Sequence, residues 1–170
     1  MQRRPEVKLT RRRVLTGLAG LAAGGIGLAG YAFGLEPMWR LDVTRYRLTP
    51  RGWPQAFPLK LAIIADLHAG EPYMGPRRIA EIVQRTNALG ADAILLLGDF
   101  AAGHRWQTRH VPAAEWSEIL SDLRAPLGVH AVLGNHDWWD DRTAQRAGKG
   151  PTVGRLALER RGIPVYENDA

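Results

Sequence analysis

Val129-His130-Ala131-Val132-Leu133-Gly134-Asn135-His136-Asp137 is the stretch that decides how this chain folds. Its first five residues form an apolar run of strand length, and the next four are polar or turn-forming. A strand ending in Gly-Asn-His-Asp delivers an amide oxygen, an imidazole and a carboxylate to one point. In open α/β sheets that point, the carboxyl edge of the strands, is where ligands are bound. The stretch therefore reads as a strand that carries a chemical site.

Working outward, two earlier runs repeat the pattern. Leu59–Ala65 is nearly continuous in apolar residues, as expected of a strand covered on both faces, and it ends in Asp66-Leu67-His68. Ala93–Leu97 is a second buried-type strand and ends in Gly98-Asp99. Between them Pro76 opens an amphipathic helix, with Ile79, Ile82, Val83, Thr86 and Leu89 at helical spacing and Gly90 as its stop. Trp116, Ile119, Leu120 and Leu123 mark a second helix from about Ala113 to Leu123, closed by Pro126-Leu127-Gly128.

Beyond the deciding stretch, Asp140–Gly150 reads as a mobile polar segment. Val153–Arg161 reads as a last helix ended by Gly162, and Ile163–Tyr166 as the final strand. Upstream, alternation in Trp39–Leu48 suggests a first strand, joined by the turn-rich Pro50–Pro58. Strand and helix alternate at least three times, the signature of an α/β domain built of βαβαβ units around a mostly parallel sheet.

The formal charge of +6 on 170 residues is not spread evenly. Residues before position 14 carry +5 of it, through Arg3, Arg4, Lys8, Arg11, Arg12 and Arg13 against Glu6, and the body is nearly neutral. With no basic helix or aromatic stripe in that body, nucleic-acid binding is excluded as a reading. The absence of cysteine excludes disulfides and thiolate metal sites, so any metal must rest on oxygen and imidazole ligands.

Thr10-Arg11-Arg12-Arg13-Val14-Leu15-Thr16 opens an uncharged, Gly- and Ala-rich segment that runs to Leu35. It resembles a twin-arginine export signal and is also long enough to stay as a membrane anchor. Residues 1–36 are accordingly assigned to a signal or anchor that engages the twin-arginine export machinery or the membrane. Residues 37–170 form the domain, expected on the outer side of a bacterial cytoplasmic membrane.

Asp66-x-His68, Gly98-Asp99 and Gly134-Asn135-His136-Asp137, in this order and at these intervals, resemble the motifs of the calcineurin-like metallophosphoesterases. The resemblance covers roughly residues 39 to 170, the N-terminal half of such a domain. It implies a metallophosphoesterase-type β-sandwich flanked by helices, incomplete here at its C-terminus. It also implies metal-dependent hydrolysis of a phosphate ester, as a phosphodiesterase or a phosphatase, through two divalent ions (Mn, Fe or Zn).

Carried over by position, Asp66 and His68 hold one metal, Asp99 bridges both, and Asn135 binds the second. His136 contacts the scissile phosphate or protonates the leaving oxygen, and Asp137 orients its ring. The branch it looks most like includes enzymes acting on lipid-linked phosphodiesters or UDP-diacylglucosamine pyrophosphate. The family's downstream Gly-His and Gly-His-x-His motifs have no counterpart before Ala170, and no histidine follows His136. A non-catalytic truncated remnant is therefore the alternative function.

The remaining aromatic and imidazole residues have plainer readings. His104 and His110 lie in the polar loop Phe100–Pro112 with Trp106 and read as surface residues, and His130 reads as structural. Trp138 and Trp139 either wall the site, pack beside it or meet lipid.

Overall fold

The computed structural model describes residues 10–54, 56–101, 103 and 107–168. His104, Trp106 and the basic residues before Thr10 lie outside these. The chain divides into two compact units between Asp42 and Val43.

The first unit is helical. Helix α1 (Arg11–Gly30) starts where the Thr10 hydroxyl accepts the Arg13 backbone N–H, and a π-helical turn (Tyr31–Leu35) leads into the short α2 (Glu36–Trp39). The stretch Arg11–Leu35 is long and apolar enough to cross a membrane, and none of α1 is buried.

The second unit begins without regular structure. Residues 40–50 form no strand, and Tyr46 and Leu48 are exposed. This corrects the expected strand at Trp39–Leu48: an alternating pattern becomes a strand only where a neighbour completes its hydrogen bonds, and no described segment pairs with it.

From there the elements are β1 (Leu61–Ile64), β2 (Gly70–Glu71), α3 (Pro76–Asn87), β3 (Ala93–Leu96) and β4 (Arg109–His110). They continue as α4 (Ala113–Leu120), β5 (Val129–Val132), α5 (Asn135–Asp140), α6 (Arg142–Ala147), α7 (Val153–Arg160) and β6 (Val165–Tyr166). Strands β1, β3, β5 and β6 form one all-parallel sheet in that order, with Leu61 opposite Ala93 and Ile94 opposite Val129. The expected βαβαβ units are thus present. Beside them, β2 and β4 make a small antiparallel ribbon that sequence pattern does not announce, since each strand has only two residues.

Each crossover steps to the next strand in the same direction, and right-handed connections then carry the crossover helices α3, α4 and α7 to the same face. That face holds the core: Ala62, Ile94, Leu96, Ala131 and Val165 of the sheet pack with Ile79 and Val83 of α3, Trp116 and Leu120 of α4, and Leu158 of α7. Fully burying a side chain such as Ile79 or Leu120 contributes about 1.5–3 kcal/mol.

On the other face Leu61 and Ile63 remain 45% and 59% exposed, with Val132 and Tyr166 beside them in solvent. The expectation that Leu59–Ala65 is covered on both faces is corrected accordingly. A continuous apolar run does not distinguish one covered face from two.

The polar segment Asp140–Gly150 is also more ordered than its composition suggests. Asp141 caps α6 by accepting the Thr143 and Ala144 backbone N–H groups at 3.0 Å each, and Gly148 ends it in a left-handed conformation. Its Oδ2 also accepts Val153 N–H at 2.9 Å, tying α6 to the start of α7.

Candidate metal centre at the strand ends

Strands β1, β3 and β5 end side by side, and the chain beyond each is bent sharply. Among the described residues the non-glycine positions with positive φ are Asp66 (53°), His68 (45°), Asp99 (55°) and Asn168 (51°). A left-handed non-glycine residue costs on the order of 1–2 kcal/mol, and such strain tends to collect at functional sites. Here it falls on three of the six residues singled out from sequence.

The strained loops hold one another. Past the end of the ladder, Asp66 N–H donates to Gly98 O at 3.2 Å, His68 N–H to Asp99 O at 2.9 Å and Ala69 N–H to Phe100 O at 2.7 Å. The loop after β3 then meets the loop after β5 almost backbone to backbone. A Cβ on Gly98 would lie 2.2 Å from Gly134 N, and one on Gly134 would lie 2.1 Å from Asp99 Oδ1. Glycine is required at both positions, at Gly98 also by its φ of 88°.

The deciding sequence stretch does not end in a loop. Asn135–Asp140 turns straight into α5 with Gly134 as its N-cap, so Asn135 sits exposed on the first turn, His136 points toward the loops and Asp137 turns inward. His136 N–H donates to Asp99 Oδ1 at 2.8 Å, which fixes the rotamer of that carboxylate.

His68 Nδ1 lies 3.3 Å from Ala101 O. With that nitrogen as the N–H donor, Nε2 keeps its lone pair and is free to bind a cation. Asp66 Oδ1 lies 4.0 Å from His68 Nε2, its side chain 70% exposed. The His68 and His136 rings meet edge to face with centroids 4.6 Å apart, and Trp139 lies 4.8 Å from His136 on another side. Trp139 thus packs beside the site.

The outcome is a group of three, His68, Asp99 and His136, whose ligand atoms all lie within 4.8 Å of one another. Two imidazoles and a carboxylate are a donor set for a borderline or hard divalent ion. The chemistry of these three residues therefore fits the metal that the motifs imply.

A family model described as calcineurin-like phosphoesterase matches residues 59–165. This chain belongs to that family. The resemblance carried by the three motifs is thereby borne out, and the parallel sheet with its helices agrees with it.

Among curated relatives, this calcineurin-like phosphoesterase is 28% identical to YkuE, an uncharacterised metallophosphoesterase of Bacillus subtilis, over 166 residues, 95% of this chain and 54% of that protein. It is 28% identical to the UDP-2,3-diacylglucosamine pyrophosphatase LpxG of Chlamydia trachomatis over 138 residues, 79% of this chain and 40% of that protein. It is 29% identical to a bovine transmembrane protein with a metallophosphoesterase domain over 86 residues, 51% of this chain and 18% of that protein. The chain spans about half of the length of YkuE and less of the other two. No solved structure matches it.

One expected role is not what the structure has. Asp137, 3% exposed, does not turn its carboxylate to the His136 ring; its oxygens accept backbone N–H groups of Gly134, Asp99, Phe100 and Ala101. Burial raises its pKa above the usual carboxylate value, while the four amides pull in the opposite direction. Sequence spacing alone could not foresee this, because three of the four amides come from a loop 36 to 38 positions away.

Among the described residues, His130 and His110 are not part of the three-residue group. His130 lies on the sheet with Nδ1 2.9 Å from Tyr166 Oη and Nε2 2.8 Å from Leu127 O, consistent with a structural part. His110 is an exposed residue of β4.

Proposed function

We propose that this protein is a metal-dependent hydrolase of phosphate esters, phosphodiesterase or phosphatase, acting at the ends of β1, β3 and β5. The observation that carries the reading is the convergence of His68, Asp99 and His136 from three different strand ends. Asp66 and His68 would hold a first divalent ion, Asp99 would serve both it and a second, and Asn135 would add an amide oxygen to the second. Mn, Fe and Zn all suit this mixture of oxygen and imidazole donors.

Bound divalent ions supply Lewis acidity toward the phosphoryl oxygens and neutralise charge on the transferring group. The remaining work falls to the chain. His136 sits at the mouth of the site with its backbone locked to Asp99, so its ring is placed to contact the phosphate or to give a proton to the departing alkoxide. Trp139 packs against that ring with centroids 4.8 Å apart. Asp99 is held by the His136 amide through Oδ1 and would offer its carboxylate to the cations.

A lipid-linked phosphodiester or a UDP-diacylglucosamine-type pyrophosphate is the proposed substrate, supported by the likeness to LpxG and by an N-terminal helix of membrane-crossing length. That helix acts as the export signal or anchor that places the domain outside the cytoplasmic membrane. Changing Arg11 and Arg12 to Lys is expected to block export in a fractionation assay, and unchanged export excludes the twin-arginine route.

The main test is Mn(II) titration of the purified chain by electron paramagnetic resonance, together with hydrolysis of bis-(p-nitrophenyl) phosphate. His68→Ala and Asp99→Ala are expected to lose high-affinity Mn(II). Equal Mn(II) affinity in the wild type and both variants refutes the site.

A further inference from the structure

We propose that Asp137 is the positioning residue of the centre: its carboxylate sets the relative placement of His68, Asp99 and His136 instead of pairing with the His136 ring. The inference rests on the metal-site reading above and gives one residue a different part in it.

The geometry is a reciprocal clasp. Asp137 Oδ2 accepts Asp99 N–H at 2.8 Å and Gly134 N–H at 2.9 Å, and Oδ1 accepts Phe100 N–H at 2.8 Å and Ala101 N–H at 3.2 Å. In return, Asp99 Oδ1 accepts His136 N–H at 2.8 Å. Each loop's carboxylate is thus satisfied by the other loop's amides.

Every member of the three-residue group is reached through this clasp. Asp99 is held by its own amide. His136 is the residue before Asp137 on the same helical turn. His68 is reached through Ala101, whose N–H goes to Asp137 while its carbonyl lies 3.3 Å from His68 Nδ1.

An aspartate at the third position of a helix ordinarily takes up only the N-cap amide, the bond Gly134 makes here. The three additional amides belong to the loop that carries Asp99, in the strained left-handed turn described above. A buried carboxylate with both oxygens doubly used is a rigid brace for that turn, and groups that orient ligands typically change metal affinity about 10–100-fold when altered.

Asp137→Asn keeps the shape but puts an NH2 group against two of the four backbone N–H donors. In the full chain it is expected to weaken Mn(II) binding roughly 10–100-fold and to alter the visible spectrum of the Co(II)-loaded protein at saturation. His130→Gln, outside the site, is expected to leave both unchanged. A folded Asp137→Asn protein with wild-type Mn(II) affinity and an unaltered Co(II) spectrum overturns the proposal.

Amide hydrogen exchange on the metal-free wild type covers the case in which the variant does not fold. The amides of Asp99, Phe100, Ala101 and Gly134 are expected to exchange as slowly as those of β3; exchange as fast as at exposed Gly148 overturns the clasp. Asp99→Ala separates the two readings. If it keeps wild-type Mn(II) binding, the metal site itself fails; if it loses Mn(II) while Asp137→Asn does not, only the positioning role fails.

Discussion

Gly134→Ala isolates the close approach of the two loops, because nothing else about the position resists a side chain. The backbone at Gly134 is extended, with φ −96° and ψ 179°, so alanine meets no conformational strain there. Its Cβ, however, would stand 2.1 Å from Asp99 Oδ1, 2.5 Å from Asp99 Cγ and 2.6 Å from Asp99 N. To reach even a 3.0 Å contact the two loops must part by roughly 1 Å.

None of these atoms is the free end of a flexible chain. Asp99 Oδ1 is bonded to His136 N–H and Asp99 N–H to Asp137, so the displacement moves the whole group. Forcing extra volume into a packed site costs about 1–3 kcal/mol, which lowers Tm on the order of 4–10 °C for a domain of this size. A shift of about 1 Å at Asp99, a proposed metal ligand, is expected to lower Mn(II) affinity about 10–100-fold.

The assay is Mn(II) titration beside thermal unfolding, with Gly148→Ala as control. Gly148 has φ 62° and open space around its Cβ position, so alanine there is expected to cost about 1–2 kcal/mol of stability without touching Mn(II) affinity. Gly134→Ala with Mn(II) affinity within about twofold of wild type would refute the close-approach reasoning, as would an equal loss in Gly148→Ala.

Two further predictions concern stability. Trp116, 1% exposed and stacked on Phe100 with centroids 5.0 Å apart at 15°, anchors α4 directly beneath the Asp99 loop. Trp116→Ala is expected to cost about 3–5 kcal/mol in chemical denaturation, and a loss below about 1 kcal/mol contradicts that packing. Asp141→Ala removes a helix cap and is expected to cost about 1 kcal/mol at pH 7. The Asp141 carboxyl is held below the usual carboxylate value, chiefly by the Ala144 amide and also by those of Val153 and Thr143. Its contribution is therefore complete above the unfolded pKa of about 3.9 and fades as pH falls through the lower folded value. The gap between wild type and Asp141→Ala should stay constant from about pH 7 to 5 and shrink in more acidic solution; an undiminished gap in strong acid refutes the assignment.

Much of the site was legible because its residues sit where strand pattern stops. Asp66, His68, Asp99 and His136 could be placed at one edge from three apolar runs and the rule that parallel strands end together. Helices α3, α4 and α7 were visible through apolar periodicity and their stops. Helix α6 was hidden by its polar composition, and its caps Asp141 and Gly148 emerged only in the folded chain. Ribbon β2–β4 left no periodic trace, and Trp39–Leu48 had the trace of a strand without a partner to make it one.

Local pattern along the chain specifies which chemical groups are available, the order in which they arrive and the strands that carry them. That the described helices α3, α4 and α7 cover one face of the sheet emerges only in three dimensions, since it depends on the direction in which successive crossovers step. Only the tertiary structure decided what Gly134-Asn135-His136-Asp137 does residue by residue. Asp137 turns inward because four amides converge on the space below α5, three of them delivered by a loop remote in sequence, and no spacing along the chain records that convergence.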